Sequence, residues 1–400
     1  MTQAEAETGG EPEGRAALSL EDARILVVDD LRSSRMLIGS VLKAAGFNTL
    51  EYASDGIEAI EKIKEFNPDI MLLDIVMPRM DGFEVCEHVR GPMASDLPIL
   101  IQSGVQEGDQ RVRAFQAGAS DLVSKPINAG EMISRVKLHV ERRRLVESLR
   151  RYRQRMEEEL KTAEAMQLSL MPGSTEANAV SKARGARLET FYRASNQLGG
   201  DLWTVFPVDE TRFGLLMVDL SGHGVSAAIN AFRLHVLIEA HKADRKDPGR
   251  WLSALSGDLY DMLPIEHFAT GFYGVFDRET RSLTYAAAGA PAPVIVRADG
   301  ATELVDASGL IMGATPAATY DNNQLQLAPG DRLCLYSDAL YEDFNFPEAS
   351  LQPEEIASHV LASVEASPPG EFPQTLMRRV YGQVPDDLPD DLTILLLEVE

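Results

Sequence analysis

The chain has 400 residues, enough for two or three domains, and its 44% hydrophobic and 25% charged residues are an ordinary globular composition. A formal net charge of −24 argues against nucleic acid as a partner, because neutralising phosphates requires Lys and Arg, although the charge is equally explained by solubility. The two cysteines, Cys86 and Cys334, indicate neither a disulfide framework nor a zinc site, and no apolar run of about 18 residues predicts a membrane span. We therefore expect a cytoplasmic, multidomain protein.

The first part of the chain is predicted to be an acidic tail followed by an α/β domain. Residues 1–21 are rich in Ala, Glu and Gly, which predicts disorder rather than a signal peptide. Over residues 22–140, short apolar strands alternate with amphipathic helices, a pattern typical of a doubly wound, five-stranded parallel sheet. The predicted strands are Ile25–Val28, Thr49–Ala53, Ile70–Leu73, Ile99–Ile101 and Asp121–Val123, and the first two helices are Ser33–Ala45 and Gly56–Phe66.

Residues 141–172 are predicted to form a helical linker, because neither Gly nor Pro occurs from Glu131 to Met171. Apolar residues recur there at intervals of three and four, which favours a coiled coil joining two copies of the chain. A single solvated helix packed on a neighbouring domain is the alternative. The seam residues are Leu145, Leu149, Tyr152, Met156, Leu160 and Ala163.

Residues 173–187 are predicted to be a polar connector, and residues 188–400 a strand-rich domain. Strands in hairpin order with two inserted helices indicate an α+β domain in which two sheets form a sandwich with flanking helices. The predicted strands are Phe213–Val218, Gly271–Phe276, Leu283–Ala287, Val294–Val296, Arg332–Tyr336 and Leu392–Leu397, and the helices are Val225–His241 and Trp251–Met262.

Acidic residues follow the strands of the first domain. Asp29 and Asp30 follow the first strand and Asp74 the third, and the carboxyl ends of parallel strands share one edge of a sheet. Three carboxylates there predict a Mg²⁺ site. Asp74 is the best phosphoryl acceptor, because the metal and Lys125, after the fifth strand, would neutralise the developing charge.

Two further residues complete this edge. Ser103 follows the fourth strand and can donate a hydrogen bond to a phosphoryl oxygen, and Pro126 can hold a cis bond that directs Lys125 inward. Together with the segment Met77–Gly82, the set resembles the receiver domain of response regulators. The resemblance implies that a cognate histidine kinase phosphorylates Asp74, that Asp29 and Asp30 hold Mg²⁺ with it, and that Ser103 and Lys125 are switch residues.

Three apolar residues modify this expectation. Leu122 stands where the receiver family usually carries an aromatic switch residue. Val76 and Val105 would flank the path of an attacking water, and neither can orient or activate it. We therefore predict a long-lived acyl phosphate.

Four carboxylates in the second domain adjoin predicted strands and small residues. Oxygen ligands that converge from separate strands suit a pair of divalent cations, which activate a bridging water and bind phosphoryl oxygens. Asp219 is the best candidate to bridge two such ions. The four are Asp201 after Gly199-Gly200, Asp219 before Leu220-Ser221-Gly222, Asp338 after Tyr336-Ser337, and Asp390 in Asp390-Asp391-Leu392-Thr393.

Residues Leu188–Glu400 resemble the metal-dependent serine/threonine phosphatases of the protein phosphatase 2C-like, SpoIIE type. The resemblance implies two Mn²⁺ or Mg²⁺ ions. The ligands that the resemblance implies are Asp219, which bridges the two ions, the backbone carbonyl of Leu220, Asp201 on the second ion, and Asp338 and Asp390 on the first, with Asp391 in support. We expect His223 to orient its loop or to face solvent, and a role as metal ligand or general acid is the alternative. We expect the Asp386–Asp387 pair to lie in a solvated loop.

The two resemblances together imply a two-component response regulator with a phosphatase output. Its implied substrate is a phosphoserine on an anti-sigma-factor antagonist in a partner-switching pathway, and neither nucleic acid nor membrane is an expected partner. The helix Glu159–Pro172 would carry a change in homodimer geometry, set by the receiver and coiled coil, into the metal site. A pseudophosphatase adaptor controlled by the receiver and a hydrolase of small phosphoesters are the alternatives.

Overall fold

The computed structural model describes residues 22–104, 108–222, 224–264, 266–342, 350–385 and 387–400. The predictions for the tail 1–21, for Val105, for His223 and for Asp386 concern residues outside these ranges. The chain forms two compact units, which divide between Arg155 and Met156. None of the helices in the described ranges is long and apolar enough to cross a membrane.

The first unit contains a five-stranded sheet of order β2-β1-β3-β4-β5 in which every pair is parallel, so the predicted α/β fold is confirmed. Helices separate the strands, as parallel neighbours require a crossover connection. The strands are β1 Arg24–Val28, β2 Thr49–Ala53, β3 Ile70–Asp74, β4 Ile99–Gly104 and β5 Asp121–Lys125. The helices are α1 Arg32–Ala44, α2 Gly56–Phe66, α3 Gly82–Arg90, α4 Gly108–Gln116 and α5 Ala129–Leu168, the last of which continues into the second unit.

Strand β1 shows why helices cover both faces of this sheet. Successive side chains of a strand point to opposite faces, and all of Ile25–Val28 is apolar and buried. Leu26 and Val28 belong to the cluster that includes α2 and α3, whereas Ile25 and Val27 belong to the cluster that includes α1 and α5. Each such side chain contributes about 1.5–3 kcal/mol by leaving water.

The second unit contains two five-stranded antiparallel sheets, of order β13-β10-β9-β8-β7 and β12-β11-β14-β15-β6. The strands are β6 Ala186–Arg193, β7 Leu202–Pro207, β8 Arg212–Leu220, β9 Ala269–Asp277, β10 Ser282–Ala288, β11 Val294–Val296, β12 Thr302–Leu304, β13 Asn323–Gln326, β14 Arg332–Tyr336 and β15 Leu392–Val399. The helices are α6 Ser174–Lys182, α7 Val225–Ala240, α8 Pro248–Met262, α9 Pro353–Ala366 and α10 Phe372–Tyr381.

The alternating side chains of β14 show that the two sheets pack face to face. Leu333 and Leu335 lie in the core that also contains β8, β9 and α8, whereas Cys334 and Tyr336 lie in a separate core with α9 and α10. The sheet that contains β14 is therefore covered by the other sheet on one face and by α9 and α10 on the other. Helices α7 and α8 pack against strands β8, β9 and β10 of the other sheet. The predicted two-sheet α+β sandwich is confirmed, and both cysteines are buried and free.

Residues 173–187 were expected to be a polar connector, but α6 lies within them. Its buried residues are Ala177 and Ser181, and Ala177 packs into the core of the sandwich. Because the helix buries only small side chains, it lacks the large apolar stripe by which amphipathic helices are recognised.

The linker helix begins and ends earlier than the expected range 141–172. Its seam residues Leu145, Leu149 and Tyr152 are each more than half exposed. The coiled coil therefore stays a prediction, and these exposed apolar residues are the ones that would contact a second copy of the helix.

Candidate phosphoacceptor and active sites

Residues at the carboxyl ends of β1, β3 and β5 meet at one edge of the parallel sheet. Asp29, Asp30 and Asp74 each offer a carboxylate oxygen, and these three atoms lie within 4.8 Å of one another. The Lys125 Nζ lies 2.7 Å from Asp74 Oδ1 and 3.5 Å from Asp29 Oδ2. The structure thus gathers the predicted acidic residues and the lysine at a single point.

The donor set of this edge fits a magnesium ion. Asp29 is buried, and its burial raises the pKa of its carboxyl, against the effects of the Leu31 amide and Lys125. Its Oδ2 has no hydrogen-bond partner among the described residues and faces the Lys125 ammonium at 3.5 Å, so a lone pair of this buried oxygen stays free for a cation. Mg²⁺ prefers one or two carboxylates together with water and a phosphoryl oxygen, which this edge can supply.

Other receiver predictions fall around this edge. Ser103 is buried, and its hydroxyl donates to the Gly104 carbonyl at 3.3 Å. The Lys125–Pro126 peptide bond is cis, as expected. Leu122 is buried in the core, and the Val76 side chain is 75% exposed beside the acceptor strand.

One ion pair near the acceptor was not predicted. Arg79, in the loop after Asp74, has a left-handed φ of 67° and pairs with the buried Asp55. Asp55 Oδ1 also caps α2 by accepting hydrogen bonds from the Ile57 amide at 2.9 Å and the Glu58 amide at 3.1 Å. The acceptor loop is therefore fastened to the start of α2 by two residues that no local sequence pattern connects.

The four carboxylates of the second unit lie at one end of the sandwich. Asp219 is near the end of β8, and Asp201 directly precedes β7, which runs antiparallel to it. Asp338 follows β14 and Asp390 shortly precedes β15, which are likewise antiparallel. In an antiparallel pair, the end of one strand lies beside the beginning of its neighbour. Each sheet therefore brings two of the predicted acids to its edge.

The electrostatics of this cluster suit divalent cations. Burial and then the charges of Asp338 and Asp390 raise the pKa of Asp219 to about 7, while Asp201 hydrogen-bonds to it. Burial and then Asp390 raise the pKa of Asp338 to about 6, and burial and then Asp219 raise the pKa of Asp201. Since these pKa values rise through burial and like charge, bound cations would reverse the effect and restore the ionised forms.

The two acidic clusters differ in compactness. Within the part of the chain that the structure describes, only Asp29, Asp30 and Asp74 bring three possible ligand atoms within 4.8 Å of one another. The acids of the second unit are spread more widely. That spacing is compatible with two ions about 3.5–4 Å apart, whose ligands are divided between them.

Asp391 and Thr393 hold the segment that carries Asp201. The Asp391 carboxylate accepts hydrogen bonds from the Ser195 amide at 2.7 Å, from the Ser195 hydroxyl at 3.0 Å and from the Gly200 amide. The Thr393 hydroxyl donates to Asp201 Oδ2 at 2.6 Å. Both oxygens of Asp391 are thus engaged by the neighbouring loop, and the sequence offered no sign of the contribution of Thr393.

Gln167 is a further residue that sequence reasoning missed. It lies in the last turn of α5 and is 2% exposed. Its Nε2 donates to the Gly199 carbonyl at 2.6 Å, and its Oε1 accepts from the Gly199 amide at 3.1 Å. The end of α5 is therefore tied to the backbone two residues before Asp201.

The loop after Asp219 packs against the same backbone. A Cβ on Gly200 would collide with the Leu220 carbonyl oxygen and would lie 3.3 Å from the Gly222 carbonyl oxygen, so only glycine permits this approach. Ser221 accepts and donates one hydrogen bond each with the backbone of Phe268, both at 2.9 Å. The Leu220 carbonyl, the predicted backbone ligand, thus faces the segment that carries Asp201.

Comparisons with known proteins identify the family of each segment. Residues 25–137 match the family described as response regulator receiver domain, and residues 209–400 match stage II sporulation protein E, SpoIIE. The first segment belongs to the receiver family and the second to the SpoIIE family. The chain thus joins a receiver domain to a phosphatase domain of SpoIIE type.

Individual relatives cover one segment or the other. Response regulator MprA of Mycobacterium ulcerans is 41% identical over 122 residues, 30% of this chain and 52% of that protein, so the chain spans about half the length of this curated relative. The SiaA-PP2C domain of Pseudomonas aeruginosa has a TM-score of 0.52 at 18% identity, covering 62% of this chain and 99% of that chain, and shows the fold alone. The structure of the RsbU and RsbW domains of a Mycobacterium tuberculosis protein has a TM-score of 0.47 at 24% identity, covering 55% and 61%.

Proposed function

We propose that this chain is a two-component response regulator in which phosphorylation of Asp74 controls a metal-dependent protein serine/threonine phosphatase. The observation that carries the proposal is the cluster of Asp201, Asp219, Asp338 and Asp390 in a SpoIIE domain. The charged groups with the largest effects on the pKa of Asp219 are all carboxylates. A protein that only bound a partner would have no need to gather these acids where their mutual repulsion costs stability.

In the receiver domain, Asp29, Asp30 and Asp74 would hold Mg²⁺. A carboxylate oxygen of Asp74 takes the phosphoryl group from a phosphohistidine of a cognate histidine kinase, forming an acyl phosphate and releasing the histidine nitrogen. The Lys125 ammonium, 2.7 Å from Asp74, offsets the negative charge that arrives. Ser103 then donates a hydrogen bond to a phosphoryl oxygen in place of its present bond to Gly104.

In the SpoIIE domain, two Mn²⁺ or Mg²⁺ ions would be held by carboxylates and one backbone carbonyl. When bound, such ions lower the pKa of a water between them and bind phosphoryl oxygens. The residues of the chain set the geometry, because Thr393 fixes Asp201 and the loop around Asp391 fixes the adjoining backbone. The proposed ligands are Asp201, Asp219, the Leu220 carbonyl, Asp338 and Asp390, with Asp391 in support.

We propose that the substrate is a phosphoserine on an anti-sigma-factor antagonist. The SpoIIE family match and the motifs of residues 188–400 support this choice. The active form would be a homodimer joined through the receiver and the seam of α5. Because α5 carries both the seam and Gln167, a change in pairing could reach the backbone beside Asp201 along one helix.

The test is phosphatase turnover with Mn²⁺ or Mg²⁺ on an aryl phosphate and on a phosphoserine protein, with and without a phosphoryl mimic at Asp74. Asp219→Asn is the blank. The regulated enzyme would be supported if turnover depends on the metal, is lost in Asp219→Asn and changes when the phosphoryl mimic is bound at Asp74. No turnover in any state, from folded protein that binds no Mn²⁺, would favour the pseudophosphatase adaptor, and equal rates with and without the mimic would reject control by the receiver.

A further inference from the structure

Helix α7, which follows the loop after Asp219, carries an exposed apolar face. Val225 is 53% exposed, Ile229 48% and Val236 65%, and Phe232 beside them is half-buried. Their spacing of four, three and four places all four on one side of the helix. We call Val225, Ile229, Phe232 and Val236 the α7 ridge.

The α7 ridge begins at the candidate active site. Its first residue comes six positions after Asp219, and the opposite side of the same helical turn borders the site. A Cβ on Gly200 would lie 3.3 Å from the Cβ of Ala227, so this turn packs directly beside the backbone that carries Asp201. A molecule whose phosphate reached the acidic cluster would therefore lie next to the ridge.

The surface around the ridge is held in place. The Arg233 guanidinium donates to the Met262 carbonyl at 3.1 Å and to Asn230 Oδ1 at 3.2 Å, which links the middle of α7 to the end of α8. Beyond α8, the exposed Phe268 is hydrogen-bonded to Ser221 of the loop after Asp219. A preorganised surface loses little conformational entropy when a partner binds.

The size of the ridge distinguishes between its possible occupants. From Val225 to Val236 it is about 16 Å long, because an α-helix rises 1.5 Å per residue. With a helix width of about 10 Å, it offers about 160 Å² per partner, whereas a stable dimer buries about 800 Å² per partner. The area suits a transient contact, such as that between an enzyme and its substrate.

We propose that the α7 ridge docks the folded phosphoserine protein that the active site dephosphorylates. This inference rests on the proposed phosphatase function. The partner would present an apolar stripe at helical spacing beside its phosphoserine, since an a/d stripe on one helix packs against a matching stripe on another. Selectivity for the protein would then come from the ridge, and hydrolysis from the acidic cluster.

The test compares substrates that differ in what they present to the ridge. Ile229→Glu and Val236→Glu are assayed on a folded phosphoserine anti-sigma-factor antagonist, on the phosphopeptide of its phosphorylation site and on p-nitrophenyl phosphate. Leu304→Glu, an exposed leucine on β12, is the matched control, and Ile229→Ala serves if a glutamate variant fails to fold. We expect kcat/KM for the folded protein to fall at least tenfold in the ridge variants, with changes under twofold for the two small substrates and for the control.

Other outcomes would overturn the proposal. Unchanged kcat/KM for the folded protein would show that nothing docks there, and an equal fall for all substrates would assign the ridge to the stability of the catalytic loop. If light scattering shows that Ile229→Glu dissociates a homodimer while kcat/KM is unchanged for all three substrates, the ridge is a contact between two copies of the chain. If the wild type hydrolyses nothing, the proposed function fails. Calorimetric binding of the phosphoprotein then decides the ridge: weaker binding by Ile229→Glu supports docking, and equal binding overturns it.

Discussion

Replacing Gln167 by leucine removes one tie between α5 and the active-site backbone while keeping a similar side-chain volume. The variant leaves the amide and the carbonyl of Gly199 without their partner, in a buried position. An unsatisfied buried backbone group costs about 1–3 kcal/mol, and the added apolar burial returns about 1 kcal/mol. Two such groups cost about 2–6 kcal/mol together, so we expect the second unit to lose about 1–5 kcal/mol of unfolding free energy.

Tryptophan fluorescence reports on this unit selectively. The two tryptophans of the chain, Trp203 and Trp251, are both buried in the second unit. With a urea m-value of about 3 kcal/mol/M for a unit of this size, Gln167→Leu should lower the unfolding midpoint by about 1 M. Gln324→Leu, at an exposed position of β13, is the matched control and should change the midpoint little.

The same variant should weaken metal binding. Gly199 lies two residues before Asp201, and the loss of a residue that orients a ligand typically costs about 10–100-fold in metal affinity. Mn²⁺ calorimetry on Gln167→Leu and the control would measure this. A variant with a wild-type urea midpoint and wild-type Mn²⁺ affinity would refute the role that the structure indicates for Gln167.

Three further predictions concern the two sites. Thr393→Val removes the hydroxyl that donates to Asp201 and should lower Mn²⁺ affinity about tenfold, whereas Thr393→Ser keeps the hydroxyl and should bind Mn²⁺ like the wild type. Equal Mn²⁺ affinities of the two variants in calorimetry would contradict this. In the metal-free folded state, prepared in EDTA, the pKa of Asp219 is about 7 and that of Asp338 about 6, both above the usual value for Asp. The folded state therefore binds more protons than the unfolded state, and its stability should fall as the pH rises from about 4 to 7. A urea midpoint that does not change with pH over this range would contradict the prediction. Saturating Mn²⁺ should remove that dependence. Val76→Asn should shorten the lifetime of the acyl phosphate, because a polar side chain can orient the attacking water, and rapid loss of phosphate from the wild type would reject the long-lived state.

The sequence determined which residues reach the ends of strands. Apolar runs such as Ile70–Leu73 and Phe213–Val218 mark buried strands, because a strand covered on its faces needs apolar side chains throughout. The carboxylates that directly follow those runs, Asp74 and Asp219, therefore had to lie at sheet edges. Fold class and the main acidic residues followed from local pattern alone.

Only the tertiary structure decided which distant residues support these acids. The bond between Thr393 and Asp201, the clamp of Asp391 on Gly200 and the contact of Gln167 with Gly199 all join segments far apart in the sequence. These contacts depend on the order of the strands in each sheet and on the position at which α5 ends. The apolar periodicity of a strand specifies neither, because any neighbouring element that buries the same face of the strand fits the same periodicity. The acids could be found from the sequence since they are fixed by their own strands, whereas the residues that hold them are fixed by neighbours that folding alone brings together.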